Sequence, residues 1–390
     1  MPENLVVYLL LVLALGIGFL LGRRERKRKQ SSPGMVAQEY FRGLNHLLNE
    51  RHDLAIDTFV EAMAVDSDTV DTHLALGSLV RRRGEVDRAI RIHQNLLARP
   101  VLSPAHRAQT ELELARDYLS AGLLDRAENL LLELVKKPGD DRDVARTMLL
   151  EIYQREREWE RAVEVARELS RADRSYRTPL AHFQCELAEK ALADGDLRRA
   201  RADLERAGDF DPGCARVALV GAKVASAGGR HRDVKRLLRK ARSLEPELSG
   251  ETVAMFRAAS EELGDRADFV RYLRECLERA APLEVVQALT REIEADEGDE
   301  VAREFLIEQL LRNPNLAGFV SLLEQLDRGG AALEADQLAL VRRFSSSLLQ
   351  KQPSHRCKDC GFSGHTLIWQ CPSCKTWGSI KPIVRYDGDV

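Results

Sequence analysis

Two C-x-x-C pairs near the C-terminus constrain the fold of this chain more than any other feature. Cys357 and Cys360 form the first pair, and Cys371 and Cys374 form the second after ten intervening residues. Each pair can supply two thiolates from one tight turn, so the four sulfurs can converge on a tetrahedral metal ion. A segment of about 34 residues is too short to bury a core without such a staple. The alternatives, vicinal disulfides or free thiols, give this spacing no purpose.

The predicted metal-binding domain spans residues 354–387 and resembles a rubredoxin or a zinc ribbon. Its expected cofactor is one divalent metal ion, Zn or Fe, and the sequence leaves that choice open. Four thiolates leave no open coordination position, so the site is expected to be structural or, with iron, redox-capable. Phe362, Trp369 and Trp377 are expected to form its apolar cover. Rubredoxins have a longer segment between the pairs and a glycine where Lys375 stands here, which weighs against electron transfer.

Composition indicates that the rest of the chain is helical. Of its 390 residues, 31% are charged and 5% are aromatic, which is typical of helical repeats rather than a β-sandwich. The net charge of −3 provides no global basic field, so no nucleic acid is expected as a partner. Cys185, Cys214 and Cys276 are widely spaced, as expected for small buried residues in a reducing compartment.

The N-terminus contains an uncharged run of nineteen residues, 4–22, which is long enough to cross a bilayer. A basic cluster at 23–29 follows this run, whereas a signal peptide carries its positive charge in front. The positive-inside rule therefore predicts a single-pass membrane anchor over 1–22, with a very short N-terminus outside and the bulk of the chain in the cytoplasm. The basic juxtamembrane linker, 23–35, is expected to contact anionic membrane lipids. A buried core helix and a nucleic-acid patch are the weaker alternatives for the two segments.

From residue 36 to residue 350 the pattern is one helix after another, with a period near 34 residues. The pattern resembles the tetratricopeptide repeat, a two-helix unit of that length. Small residues let the two helices of a unit cross closely, and glycines occupy the turns between them, at Gly84, Gly122, Gly195 and Gly229. About eight or nine units are predicted. The expected fold class is all-α: a transmembrane helix, a tetratricopeptide-repeat superhelix and a small C-terminal metal domain.

Arrays of this kind present a concave face lined by the first helix of each unit. Counting along the repeats places five charged residues on that face as candidate partner-binding residues, namely Arg81, Arg82, Arg116, Glu189 and Lys223. A charged groove favours a peptide or protein surface as the partner. A solvated polar face with surface ion pairs is the alternative for each of them.

The chain contains no recognisable catalytic signature, such as a phosphate loop or a zinc-protease motif, so it is not expected to be an enzyme. The order of anchor, repeats and metal domain is more specific than any part alone. Together with the segment 369–383, WQCPSCKTWGSIKPI, it resembles the lipopolysaccharide assembly protein B family of Gram-negative bacteria over the whole chain.

This resemblance implies an inner-membrane adaptor that faces the cytoplasm. The family promotes degradation of the lipid A deacetylase LpxC by the membrane protease FtsH, and so regulates lipopolysaccharide synthesis. LpxC, FtsH and other lipopolysaccharide-assembly proteins are therefore the implied partners. The resemblance also implies that Cys357, Cys360, Cys371 and Cys374 bind the metal, and that the metal domain packs on the helical array.

Three other functions stay open at the level of sequence. A general inner-membrane scaffold for envelope biogenesis would show the same repeats. A rubredoxin-like electron-transfer protein would need iron. A nucleic-acid-binding ribbon would need a basic surface, and seven residues give the ribbon a local positive bias: Lys351, His355, Arg356, Lys358, Lys375, Lys381 and Arg385.

Overall fold

The computed structural model describes residues 69–100, 102–139, 141–279, 282–312, 318–323 and 353–383, with the isolated positions 45 and 346. Within these ranges no helix is long and apolar enough to cross a membrane. The predicted anchor over 1–22 and the basic linker over 23–35 lie outside the described residues, as does the first predicted repeat up to residue 68.

Helices occupy nearly all of the described chain between residues 70 and 312, in accordance with the predicted all-α class. The chain divides into two compact units, 1–152 and 153–390. The helices that begin before this division are α1 (Val70–Arg82), α2 (Val86–Leu97), α3 (Pro104–Ser120), α4 (Leu124–Lys136) and α5 (Asp141–Glu156). Those that follow are α6 (Trp159–Ala172), α7 (Arg177–Ala193), α8 (Leu197–Phe210), α9 (Ala215–Ala227), α10 (His231–Leu244), α11 (Ser249–Glu262), α12 (Arg266–Arg279), α13 (Leu283–Glu297) and α14 (Asp299–Arg312).

These helices form seven successive pairs within the described residues, which is the arrangement that the 34-residue period predicts. The turn inside a pair needs a left-handed residue, and Gly84, Gly122, Gly195 and Gly229 provide it with φ between +66° and +87°. The turn between α5 and α6 has Arg157 in the same conformation, with φ +57°. Glycine is therefore the common solution at this turn, but an arginine can occupy it at some cost in strain.

Small residues at the crossing points let each pair pack closely. Ala89 and Ala127 in the first unit and Ala200 in the second are fully buried, at the positions where the repeat pattern predicts close helix crossings. Cys185, Cys214 and Cys276 are buried among apolar side chains, as their spacing indicated. A cluster of nineteen buried side chains runs from α9 to α13 in the second unit.

The C-terminal segment forms a small three-stranded antiparallel sheet. Its strands are β1 (His355–Cys357), β2 (Ser363–Gly364) and β3 (Ile380–Pro382), in the order β2-β1-β3. Only Cys357, Cys371 and Ile380 form its buried cluster, with Phe362 and Leu367 partly buried against them. This segment, called the ribbon below, therefore lacks a core of the size that keeps independent domains folded.

Candidate metal centre

The sulfur atoms of Cys357, Cys360, Cys371 and Cys374 lie within 4.8 Å of one another. The Sγ–Sγ distances are 3.7 Å between Cys357 and Cys374 and 3.7 Å between Cys360 and Cys371. Four thiolates converging in this way match the ligand set of a tetrahedral Zn or Fe site. The structure thus brings together all four cysteines that the spacing singled out.

Each cysteine pair lies in a turn closed by an equivalent backbone hydrogen bond. The amide of Gly361 donates to the carbonyl of Cys357 at 3.1 Å, and that of Lys375 donates to the carbonyl of Cys371 at 2.9 Å. Both closing residues are left-handed, with φ +76° at Gly361 and +62° at Lys375. Lys375 therefore adopts the same left-handed backbone as Gly361, so the two turns are equivalent although one ends in a lysine.

Hydroxyl groups next to the cluster favour the thiolate form that a metal requires. The Ser379 hydroxyl lies 3.2 Å from the Cys357 sulfur, and this contact together with backbone amides lowers the pKa of Cys357 to about 6. The Thr376 hydroxyl, 3.4 Å from the Cys374 sulfur, lowers the pKa of Cys374. Burial raises the pKa of Cys371 to about 11. Deprotonating Cys371 is thus the step that depends most on a bound cation.

The two tryptophans of the ribbon, Trp369 and Trp377, pack it against helices of the second unit, and we call this contact surface the seat. The Trp377 ring stacks on His182 of α7 at 5.0 Å and meets Phe183 edge-on at 5.5 Å. Its indole nitrogen donates to the side-chain oxygen of Gln154 at 3.0 Å. Trp369 packs against the buried cluster of the second unit. Of the three residues predicted to cover the metal site, Phe362 packs on the ribbon's own core, whereas Trp369 and Trp377 contact the helices instead.

A buried arginine lies at the centre of this seat. Arg216 of α9 is 1% exposed, and its guanidinium carbon lies 5.4 Å from the ring centre of Trp369 and 6.0 Å from that of Trp377. The guanidinium pairs with Glu186 at 2.8 Å and Glu189 at 2.5 Å. Burial disfavours the charged form of Arg216, but the two carboxylates hold its pKa above the usual value. Arg216 thus links the acids of α7 to the aromatic rings of the ribbon.

Two lysines of the ribbon pair with acids on the turn between α10 and α11. Lys381 pairs with Glu245, and Lys358 lies 3.2 Å from Glu247. The backbone of the ribbon also lies close to α7 at Gly378, where an added Cβ would lie 3.2 Å from Nε2 of His182. Part of the ribbon's predicted positive bias is thus neutralised by the protein itself.

The predicted groove residues fall into two separate clusters. In the first unit, Arg81 pairs with Glu113 and Asp117, both at 2.7 Å, and Arg116 also pairs with Glu113, while Arg82 is exposed at the end of α1. In the second unit, Glu189 pairs with Lys223 at 3.1 Å and with Arg216. The assignment of all five residues to a partner surface stays a prediction.

Sequence reasoning missed the residues that form the seat, namely Gln154, His182, Glu186 and Arg216. One signal was present: α9 is almost entirely apolar apart from Arg216 and Lys223, and an arginine at the start of such a helix is unlikely to be a solvated residue. A second signal is the sequence of α7, RTPLAHFQCELAEKALA, whose apolar residues lie all around the helix; in the structure α7 buries nine of its seventeen residues, whereas α8 buries four of fourteen. A helix that is apolar on more than one face has a neighbour on each of them.

Helical pairs in series and a four-thiol ribbon seated on them define the class of this protein: a helical-repeat protein with a rubredoxin-type metal-binding module. Residues 355–382 match the family described as "Rubredoxin metal binding domain". The chain is 36% identical over 386 residues to "Lipopolysaccharide assembly protein B" of Escherichia coli strain K12, which covers 98% of this chain and 99% of that protein. The protein of the same name from Haemophilus influenzae is 31% identical over 389 residues, covering 97% of this chain and 98% of that protein. The chain belongs to the lipopolysaccharide assembly protein B family.

Solved structures of tetratricopeptide-repeat proteins also resemble the chain. The C-terminal part of such a protein from Cytophaga hutchinsonii aligns with 65% of this chain and 93% of its own length, with 11% identity and a TM-score of 0.37. One from Parabacteroides merdae aligns with 72% of this chain and 100% of its own length, with 10% identity and a TM-score of 0.33.

Proposed function

We propose that the chain is a membrane-anchored cytoplasmic adaptor that regulates lipopolysaccharide synthesis by promoting proteolysis of the deacetylase LpxC by the membrane protease FtsH. The observation that carries this proposal is the 36% identity, over 98% of the chain, to a protein named for lipopolysaccharide assembly. The anchor over 1–22 would hold the repeats beside a membrane protease. Holding substrate and protease on one protein raises their effective concentration without any chemistry by the adaptor.

The metal centre supports a binding function rather than a catalytic one. Four thiolates complete a tetrahedral shell, so a bound Zn or Fe ion would have no position for a substrate. A bound ion would instead supply folding free energy to a segment whose buried cluster contains only Cys357, Cys371 and Ile380. In this proposal the ribbon is a rigid part of the adaptor surface, and the chain is not an enzyme.

The partner surface is proposed to include the exposed charged residues of the first helices. In the first unit, Arg82 is exposed, and Arg81 and Arg116 are held in place by Glu113. Glu189 and Lys223 would contribute in the second unit, next to the seat of the ribbon. A side chain that is already held in one conformation loses little entropy on binding, which favours it as a contact residue.

Complementation in a strain that lacks the gene tests this proposal. The wild-type chain, a Cys371→Ser variant and a Cys276→Ala control would each be expressed in that strain. After protein synthesis is stopped, LpxC is expected to decay rapidly with the wild type and with Cys276→Ala, and to persist with Cys371→Ser. Lipopolysaccharide content should rise where LpxC persists. Unchanged LpxC turnover in the strain without the gene would refute the proposal and favour a general scaffold.

A further inference from the structure

Positive charge in the second unit is concentrated on the second helices of three successive pairs. The helices α8, α10 and α12 carry fourteen Arg and Lys residues against seven Asp and Glu residues. The first helices of the same pairs, α7, α9 and α11, carry five basic and five acidic residues. Since the whole chain has a net charge of −3, this excess on three neighbouring helices is a local feature.

The basic residues recur at equivalent positions of successive repeats. Arg198 and Arg206 of α8 recur thirty-four residues later as Arg232 and Lys240 of α10. Arg236 recurs thirty-five residues later as Arg271 of α12, the same step that separates the turn glycines of those two repeats. Equivalent positions point the same way from stacked repeats. We call these six residues the basic face: Arg198, Arg206, Arg232, Arg236, Lys240 and Arg271.

The side chains of the basic face are exposed, and two of its helices lie next to each other. Ion pairs join α10 directly to α12, with Arg239 at 2.6 Å from Asp268 and Arg242 at 2.8 Å from Glu275. On α10, Arg232, Arg236 and Lys240 follow one another at every fourth residue and are all exposed. They therefore form one stripe along the outer side of the helix.

Half of the basic face has no counter-charge. Among the residues that the structure describes, Arg198, Arg232 and Lys240 form no ion pair. Arg206, Arg236 and Arg271 each pair with an aspartate three residues earlier on the same helix, and their side chains remain 53%, 70% and 65% exposed. Exposed pairs of this kind hold a side chain only weakly, so all six cations are available to a larger anionic surface.

We infer that the basic face docks the second unit onto the anionic lipid headgroups of the membrane. This inference rests on the membrane anchor proposed above. The predicted linker of thirteen residues, 23–35, can extend about 45 Å at most, so the start of the repeats is tethered within that distance of the leaflet. Tethering raises the effective concentration of the surface, and each basic residue near an anionic leaflet contributes about a fivefold factor to binding.

The chemistry of the face favours lipid over an acidic protein as the occupant. Protein interfaces depend on large apolar or aromatic side chains that fill pockets. The other outward positions of the same stripes are Ala202 of α8 and Ala267 and Glu275 of α12, none of which is such an anchor. A broad, regularly spaced set of cations instead matches the diffuse negative charge of a headgroup layer.

Lys240 provides a direct readout of this docking. The full-length chain would be inserted into nanodiscs that contain either phosphatidylcholine alone or about one third phosphatidylglycerol, enough to create an anionic surface. Acylation of Lys240 by an amine-reactive reagent, measured by mass spectrometry, is expected to slow about fivefold or more in the anionic discs. About 0.5 M NaCl should restore the rate, because salt screens exposed charges. Lys223 of α9 should react equally in both discs.

Two double variants with the same change in net charge separate the basic face from charge in general. Arg232→Glu/Arg236→Glu should abolish the protection of Lys240, whereas Arg171→Glu/Arg174→Glu, at exposed positions outside the face, should preserve it. Equal reactivity of Lys240 in the two kinds of disc would overturn the inference and leave the adaptor function intact. Protection that appears only when an acidic protein is added would overturn it in favour of that protein. If the chain fails to enter the discs, the anchor and this inference fall together.

Discussion

The ribbon and the helices beneath it derive their stability from different sources. Nineteen buried hydrophobic residues form one continuous cluster in the helices of the second unit, where each repeat packs on its neighbours. The ribbon has three buried residues in its cluster, two of which are cysteines of the metal site. Two features therefore hold the ribbon in place: the thiolate cluster, which would bind the metal, and the seat on α7 and α9. Changes in the thiolate cluster or in the seat should therefore affect the ribbon while the helices remain folded.

The largest expected effect comes from removing one thiolate. Cys371→Ser should unfold the ribbon, because structural zinc sites contribute about 10 kcal/mol or more to the folding of small domains. Far-ultraviolet circular dichroism should remain close to that of the wild type, since the helices bury their own core. Tryptophan fluorescence should shift to the red as Trp369 and Trp377 become exposed. Cys276→Ser, which alters a buried thiol of α12 outside the metal site, should retain metal and fluorescence.

The next effect concerns the charge buried in the seat. Arg216→Met leaves Glu186 and Glu189 without their buried partner, and breaking such a pair costs about 3–5 kcal/mol. The ribbon should detach from the helices yet still bind metal, which metal analysis and the fluorescence of Trp369 and Trp377 would show. Lys223→Met removes a more exposed partner of Glu189 and should cost less than about 1 kcal/mol. Equal losses for the two variants would mean that the seat does not depend on Arg216.

Acid should weaken the seat through His182. Burial and the nearby positive charges of Arg216 and Lys381 lower the pKa of His182 to about 3. His182 is thus neutral in the folded protein, whereas the unfolded chain takes up a proton below about pH 6.5, so stability falls as the pH falls through this range. The expected loss between pH 7 and pH 5 is about 2 kcal/mol. Denaturant titrations at both pH values should show this loss in the wild type and a smaller one in His182→Gln.

The smallest effects concern two residues that are left-handed without being glycine, the only ones in the part of the chain that the structure describes, with one in each region. Lys375→Gly and Arg157→Gly each relieve a conformation that costs about 1–2 kcal/mol, offset in part by the greater entropy of glycine in the unfolded chain. Each variant should gain less than about 1 kcal/mol. Lys375→Gly should stabilise the ribbon, measured by resistance to a chelator, and Arg157→Gly should raise the melting temperature of the helices. If Lys375→Gly raised the melting temperature of the helices, or Arg157→Gly raised the resistance of the ribbon to a chelator, the two regions would unfold together.

The sequence predicted those features that depend on short-range spacing. The cysteine pairs indicated the thiolate cluster, and the glycines at Gly84, Gly122, Gly195 and Gly229 marked turns that the structure confirms as left-handed. The seat could not be predicted in this way, because it joins Gln154 and Arg216 to Trp377 across more than 150 residues. A tryptophan beside a metal site packs equally well on that site or on a neighbour, and only the apolar character of α7 and α9 hinted at the second outcome.

Hydrogen exchange of the full-length chain before and after metal removal tests the central claim most directly. Peptides covering residues 355–382 should lose nearly all protection when a chelator removes the metal, and peptides from α7 and α9 should exchange moderately faster where the seat opens. Peptides from α10, α12 and the first unit should keep their protection. Persistent protection of the ribbon without metal, or loss of protection throughout the helices, would contradict this account. In it, the thiolate cluster and the seat stabilise the ribbon, whereas the repeats are stabilised by their own core.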